Sequence, residues 1–322
     1  MPQTVPEKQS GSPKVSVVAP AYNVAPYIVE ALNSVFAQTF TDYEVIVVNH
    51  GSPDTEELER ELASFMDRIV YLKTENSGVG AACNVALRAA RGQYIAFLDA
   101  DDAFLPNHLS EQLALIEDSP GYDLVYANAT TFGELATPGR TVMDDNPSDG
   151  EVTFSSLLEG KCSAITTTVV ARREPILEVG LFDESLRSSQ DLDLWLRLAK
   201  RNGARMSYQS KALARHRIYE AGLAADDLGS LEDEVTVLTK ASRRTDLTPD
   251  EVAAIKRTMP KRRAVIEAWR GKECLRDGNF AGAIESFSES NSLVPNRKLQ
   301  LVILALKIAP RLFQRIYGTR AA

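Results

Sequence analysis

One pattern dominates the first hundred residues. Short runs of β-branched and aromatic residues stand at 15–19 (VSVVA), 43–48 (YEVIVV), 69–72 (IVYL) and 94–98 (YIAFL), each closed by a turn. Segments of helical spacing separate them at about 26–37, 54–65 and 79–90, with Pro53-Asp54 and Ser77-Gly78 as start signals. A β-α-β-α-β-α-β order implies an α/β fold, a mainly parallel sheet with helices on both faces. Further strand candidates lie at 124–127, 165–171 and 213–216, with a helix at 192–201 between the last two. Open sheets of this kind bind ligands beyond the carboxyl ends of their strands. Pro20-Ala21-Tyr22-Asn23, Asn49-His50-Gly51-Ser52 and Asp99-Ala100-Asp101-Asp102 all fall at such ends, so three motifs are expected to line one crevice.

The third motif is the most demanding. In IAFLDADDAFLP an apolar strand runs straight into Asp99, Asp101 and Asp102. Clustered carboxylates repel one another unless something positive sits among them. If the chain stays extended, Asp99 and Asp101 point the same way. Magnesium or manganese would take one or two such carboxylates together with phosphate oxygens. Capping of the helix that begins near Pro106 explains one aspartate but not three. An EF-hand needs glycine at its sixth position and glutamate at its twelfth, where Phe104 and Ser110 stand. A phosphatase with a nucleophilic aspartate also uses a hydrophobic-DxD strand end, but continues with Gly-Thr on its first strand; here Asp102-Ala103 follows on the fourth. That phosphatase remains an alternative reading of the residues.

A chain of 322 residues, 44% hydrophobic and 25% charged, has room for one large and one smaller domain. Cys83, Cys162 and Cys274 are odd in number and far apart, which fits a reducing compartment and neither a disulfide framework nor a zinc site. Residues 1–13 are polar and read as a flexible tail with no secretion signal, so a cytoplasmic location is expected. The net charge of −8 is unevenly spread. From Lys256 onward there are 14 Lys/Arg and 5 Asp/Glu, against 22 and 39 before it. An acidic body is a poor partner for nucleic acid, whereas the basic end could meet anionic lipid or another protein.

From residue 226 the pattern becomes helical. In 266–296, Gly271, Gly278, Phe280, Ala283, Phe287 and Pro295 resemble one tetratricopeptide repeat in spacing. One repeat cannot form a solenoid, so a helical hairpin docked on the larger domain is expected. The stretch 297–320 has an apolar centre of only about a dozen residues, too short for the roughly 20 of a spanning helix. Leu299, Val302, Ile303 and Leu306 share a helical face amid scattered Lys and Arg. The segment reads equally as a basic amphipathic helix peripheral to an anionic membrane or as a helix packed on the hairpin.

Four stretches together resemble the family 2 glycosyltransferases with the GT-A fold: VSVVAPAYNVAPYIVEALNSVFAQTF, YEVIVVNHGSPDT, ENSGVGAACNVALRAARGQYIAFLDADD and GLFDESLRSSQDLDLWLRLAKR. They occur in the family's order over roughly residues 14–220, which gives a GT-A domain at 14–225 and a helical region at 226–322. The resemblance implies an inverting, metal-dependent transfer of a sugar from a nucleotide-diphosphate donor to a glycan or lipid-linked saccharide. By position, Pro20, Ala21, Tyr22, Asn49, His50 and Asp99 would meet the nucleotide, with Tyr22 as a stacking ring or simply a half-buried aromatic. Asp101, with Asp99, would hold Mn2+ or Mg2+. Asp191 would be the general base, and Asp193 an exposed partner of Arg197.

The sequence also departs from the family pattern. Asn49-His50 stands where two acids or Asn-Asp are common, and a neutral imidazole accepts through one nitrogen only. Cys83 replaces a frequent arginine, consistent with a small buried side chain. Gln190 replaces the acid beside Asp191, and Tyr219 occupies the place of a frequent metal-binding histidine, with His216 three residues earlier. These substitutions keep open a further alternative, a glycosyltransferase-like binding module without activity.

Overall fold

The computed structural model describes residues 11–118, 121–220 and 228–311. Two units divide the chain, Met1–Ala225 and Asp226–Ala322.

In the first unit the expected alternation forms β1 (Val15–Ala21), α1 (Ala25–Phe36), β2 (Tyr43–His50), α2 (Thr55–Leu62), β3 (Val70–Thr74), α3 (Val79–Ala89) and β4 (Tyr94–Phe97). Then follow β5 (Ala103–Phe104), α4 (His108–Glu117), β6 (Leu124–Phe132), α5 (Val142–Asp145), α6 (Phe154–Leu158), β7 (Val169–Arg172), α7 (Arg173–Glu178), α8 (Gln190–Ala199) and β8 (Met206–Arg217). The strands form one sheet in the order β3-β2-β1-β4-β7-β6-β8-β5. Its first half is parallel, because each strand is followed by a helical crossover. β7 then enters antiparallel between β4 and β6, β8 runs parallel to β6, and the short β5 closes the far edge antiparallel to β8.

Two strand expectations change. The run at 165–171 begins as a 3-10 turn, Thr166–Thr168, and becomes extended only from Val169. The candidate at 213–216 is the end of a twelve-residue strand whose first part, MSYQSKA, is too polar to signal one. Its register against β6 slips around Asn128.

The core explains why the strand ends are so well held. Val15, Val17 and Ala19 of β1 are fully buried with Ile28, Leu32 and Val35 of α1 and with Leu58 and Leu62 of α2. Phe97, at the end of β4, meets Phe182 and Trp195 edge-on, each with centroids 5.8 Å away. Trp195 also donates its indole N–H to the Ala164 carbonyl at 3.2 Å. The segment before β7 and helix α8 are thus tied together directly beside β4.

The second unit comprises α9 (Leu228–Ser242), α10 (Pro249–Arg276), α11 (Phe280–Leu293) and α12 (Arg297–Ile308). Thr248 starts α10 with a capping box completed by Glu251, and the Asn279 and Asn296 side chains cap α11 and α12. A Cβ on Gly271 would lie 2.5 Å from the Phe287 ring, so glycine is what lets α10 and α11 approach this closely. Ala283 and Phe287 of α11 bury Ile303 and Leu306 of α12. The face shared by Leu299, Val302, Ile303 and Leu306 therefore packs on the hairpin. Residues 1–10 of the expected tail, and 312–320 of the basic segment, lie outside the described residues.

Candidate functional site

β4 carries the chain into the acidic turn. The Leu98 N–H bonds the Val18 carbonyl at 2.9 Å, and the turn closes with Asp102 N–H on the Asp99 carbonyl at 2.9 Å. The three carboxylates then meet different fates. Asp102 is 1% exposed and fully engaged: it accepts from Thr167 Oγ1 at 2.7 Å, His216 Nδ1 at 3.0 Å and the Arg217 N–H at 2.7 Å. It clamps β8 and the 3-10 turn to the loop. Asp101 accepts from Tyr219 Oη at 2.9 Å, while Arg217 Nε holds its backbone carbonyl at 2.7 Å. Arg217 and Arg215 both pair with Glu30 of α1, two guanidiniums sharing one carboxylate.

Asp99 is the least compensated. Thr167 Oγ1 accepts from the Asp99 N–H at 3.1 Å and lies 3.2 Å from its carboxylate. A hydroxyl has one proton, and the shorter bond to Asp102 claims it. Burial, then the Asp102 and Asp101 charges, push Asp99 up to about 8. Burial and the Asp102 charge also raise Asp101. Burial alone would lower His216, but its bond to Asp102 and the three carboxylate charges outweigh this and raise it. The cluster is short of positive charge.

Asp191 stands in the first turn of α8, after Ser189 turns the chain through a left-handed conformation at φ 56°. Its carboxylate accepts from the Leu192 N–H at 2.8 Å and lies 3.5 Å from Thr166 Oγ1. Burial raises its pKa. Neighbouring threonines therefore touch both parts of the site, Thr166 at Asp191 and Thr167 at the acidic turn. The buried Cys83 thiol, pushed up by burial, feels the charges of both Asp99 and Asp191. Asp99 and Asp191 thus both lie close to Cys83.

The approach to α8 is fixed from both sides. Asn84 of α3 donates to the Phe182 carbonyl at 3.0 Å and accepts its N–H at 2.9 Å. Arg197 pairs with Asp193 at 2.7 Å and donates to the carbonyls of Val179 and Leu181. Asp193 is 3% exposed, not on an open surface. The i,i+4 spacing identifies its partner, but the loop packed over both residues is invisible to helical periodicity.

The turn after β2 leaves the sheet at the same end as the acidic turn, with β1 between β2 and β4. Tyr22 is exposed, and its ring stacks on His50 with centroids 5.2 Å apart and planes 28° apart. Burial lowers the His50 pKa against an opposing hydrogen bond to Asn76, and His50 Nδ1 is a buried atom without a partner. Asn49 is consumed locally: it donates to Thr55 Oγ1 at 2.9 Å and Tyr71 Oη at 3.1 Å, and accepts from the Ser52 N–H at 3.0 Å. Ser52 accepts the Asn23 N–H at 2.6 Å and Asp54 the Ala25 N–H at 2.8 Å, which locks this turn to the end of β1. Gly51 sits at φ 71°, and a Cβ there would come within 2.7 Å of the Asn76 backbone nitrogen.

Of the residues expected at a nucleotide, Tyr22 is exposed, Asp99 partly exposed and His50 buried beneath the Tyr22 ring. Pro20 and Ala21 are buried in β1, and Asn49 shapes its own turn. Among the described residues no three His, Cys, Asp or Glu side chains form a ready metal cage. Asp101 and Asp99 are a partial oxygen set, matching what magnesium or manganese takes when phosphates supply other ligands. His216 is bound to Asp102, and Tyr219, at the expected histidine position, hydrogen-bonds Asp101. Nothing in the sequence singles out Arg217 or Glu30. The TTT run at 166–168 was the one visible signal, and its β-propensity hid it inside a strand.

The family described as glycosyl transferase family 2 matches residues 16–179. A curated relative from Rickettsia prowazekii (strain Madrid E), an uncharacterized glycosyltransferase, is 30% identical over 76% of this chain and 76% of its own length. Some other rickettsial relatives are much longer: the chain spans 31% of one from Rickettsia conorii, with 34% identity over 57% of this chain. Among solved structures, S. aureus TarS 1-349 in complex with UDP-GlcNAc has a TM-score of 0.61 at 22% identity, covering 95% of this chain and 92% of that one. The mannosyltransferase PcManGT from Pyrobaculum calidifontis, in complex with GDP-Man and Mn2+, has a TM-score of 0.60 at 18% identity, covering 98% and 90%. At these identities the likeness is one of fold, the GT-A fold.

Proposed function

This chain belongs to glycosyl transferase family 2 and is a glycosyltransferase, and on that footing we propose that it moves a sugar from a nucleotide-diphosphate donor to a hydroxyl of a glycan or lipid-linked saccharide, with inversion at the anomeric carbon. The observation that carries this reading is a carboxylate cluster short of positive charge, joined through adjacent threonines to the separate carboxylate of Asp191. Family membership removes the phosphatase alternative.

Asp101 and Asp99 would hold Mn2+ or Mg2+. Bound there, the ion supplies Lewis-acid neutralisation of the departing nucleoside diphosphate. Tyr22 offers a stacking face to the base, and His50, its pKa lowered by burial, offers a ring nitrogen to the base edge. Asp191 takes the proton from the acceptor hydroxyl as that oxygen attacks the anomeric carbon opposite the nucleotide. Its burial raises its pKa and so strengthens it as a base. Thr166 and the Leu192 N–H aim its carboxylate. The transition state has oxocarbenium character, as in other glycosyl transfers. The support from relatives is that TarS is seen with UDP-GlcNAc and PcManGT with GDP-Man and Mn2+. The proposed place of action is the cytoplasm, where nucleotide sugars would be met.

Asp191→Asn tests the assignment. It should leave nucleoside diphosphate binding intact by calorimetry and cut transfer by about a thousandfold. Turnover close to the native rate would remove Asp191 as the base.

A further inference from the structure

Helix α12 has two apolar faces, and only one is used inside the unit. Ile303 and Leu306 are buried against Ala283 and Phe287, with Leu299 and Val302 beside them. Leu301, Leu304 and Ile308 are 67%, 53% and 74% exposed. Their spacing of three and four residues makes them one stripe, pointing away from the packed face. Arg297 extends the same stripe at its start, Lys298 and Lys307 stand exposed at its sides, and Arg311 is exposed just beyond the helix end. Among the described residues none of these four cations pairs with a carboxylate.

We propose that this stripe is a docking face for an anionic lipid surface, with Leu301, Leu304 and Ile308 entering the headgroup boundary and the four cations meeting the lipid phosphates. After Glu289 the sequence contains six Lys/Arg and no Asp or Glu to residue 322, while residues before Lys256 carry 39 Asp/Glu against 22 Lys/Arg. Attraction to an anionic surface is therefore concentrated at this end of the chain. A second copy of the chain is a poorer occupant, because a symmetric contact would bring Arg297, Lys298, Lys307 and Arg311 against their own kind. The geometry is that of a helix lying in the interface. At twelve residues α12 cannot span a bilayer, and no described helix is long and apolar enough to do so. On this proposal the two sequence readings of the segment would belong to opposite faces of one helix.

Co-sedimentation of the full chain with vesicles tests this. The native chain should pellet with phosphatidylcholine mixed with phosphatidylglycerol, much less with phosphatidylcholine alone, and progressively less as salt rises. Replacing Leu301→Ser, Leu304→Ser and Ile308→Ser together should lower the partition coefficient about tenfold or more while nucleoside diphosphate binding is kept. A second variant, Arg297→Glu with Arg311→Glu, keeps the apolar stripe and should also lose binding; it decides the matter if the first fails to fold. The proposal is overturned if the native chain stays in the supernatant, if neither variant changes the partition, or if the stripe instead mediates a dimer that ignores vesicles.

Discussion

Two turns leave the carboxyl ends of parallel strands here, and they treat their polar groups in opposite ways. After β2, Asn49, Ser52 and Asp54 spend their hydrogen bonds on neighbouring backbone and side chains, leaving His50 Nδ1 as the buried exception. After β4, Asp102 is saturated but Asp99 and Asp101 are pressed together with too few donors, and their pKa values rise. One turn is built to hold its own shape. The other crowds carboxyl groups whose ionised forms are disfavoured until a positive group joins them, which is the expected signature of a ligand site.

The sharpest way to break this contrast lies inside the acidic turn. Asp102→Asn should cost roughly 2–4 kcal/mol in chemical denaturation, because its carboxylate accepts from three donors and an amide cannot. Asn49→Ala, in the other turn, should cost about 2 kcal/mol by removing a fully engaged buried amide. Asp99→Asn should instead change stability little near pH 7, because a carboxyl pushed up to about 8 is already mostly protonated there, and should stabilise relative to the native chain only as pH rises past that value. If both aspartate variants destabilise alike, the two acids are equivalent and the contrast is wrong.

The smallest effect is in pH dependence. His50 is held below the usual imidazole value by burial, so both states are neutral well above about 6.5. As pH falls through that value the unfolded chain takes the proton and the native one resists, so stability is lost. His108, pushed down to about 4 by burial, adds to the same slope. His50→Gln should make the loss between pH 7.5 and 5 shallower without abolishing it. An unchanged slope would show that His50 is not held neutral.

The sequence made the parallel half of the sheet legible because each of its strands carries a run rich in β-branched and aromatic residues. It did not reveal the antiparallel insertion of β7, since pairing partners are chosen by tertiary packing and not by the strand's own composition. At the site, Asp99, Asp101, Asp191 and Tyr22 stood out by residue type at strand and helix ends. What surrounds them did not. Thr167 reaches Asp102 across 65 residues, His216 reaches the same carboxylate across 114, and Tyr219 reaches Asp101 across 118. Local periodicity cannot reach such separations, which is also why Asp193 was expected at an exposed position.

The central claim is that the turn after β4 stores charge for a metal that arrives with a nucleoside diphosphate. Calorimetric titration of UDP and GDP with and without Mn2+ tests it most directly. At least one of them should bind in the presence of Mn2+ and show little binding without it, and Asp101→Asn should weaken the metal-dependent binding about a hundredfold. Binding that is indifferent to Mn2+, or unchanged by Asp101→Asn, would contradict the account.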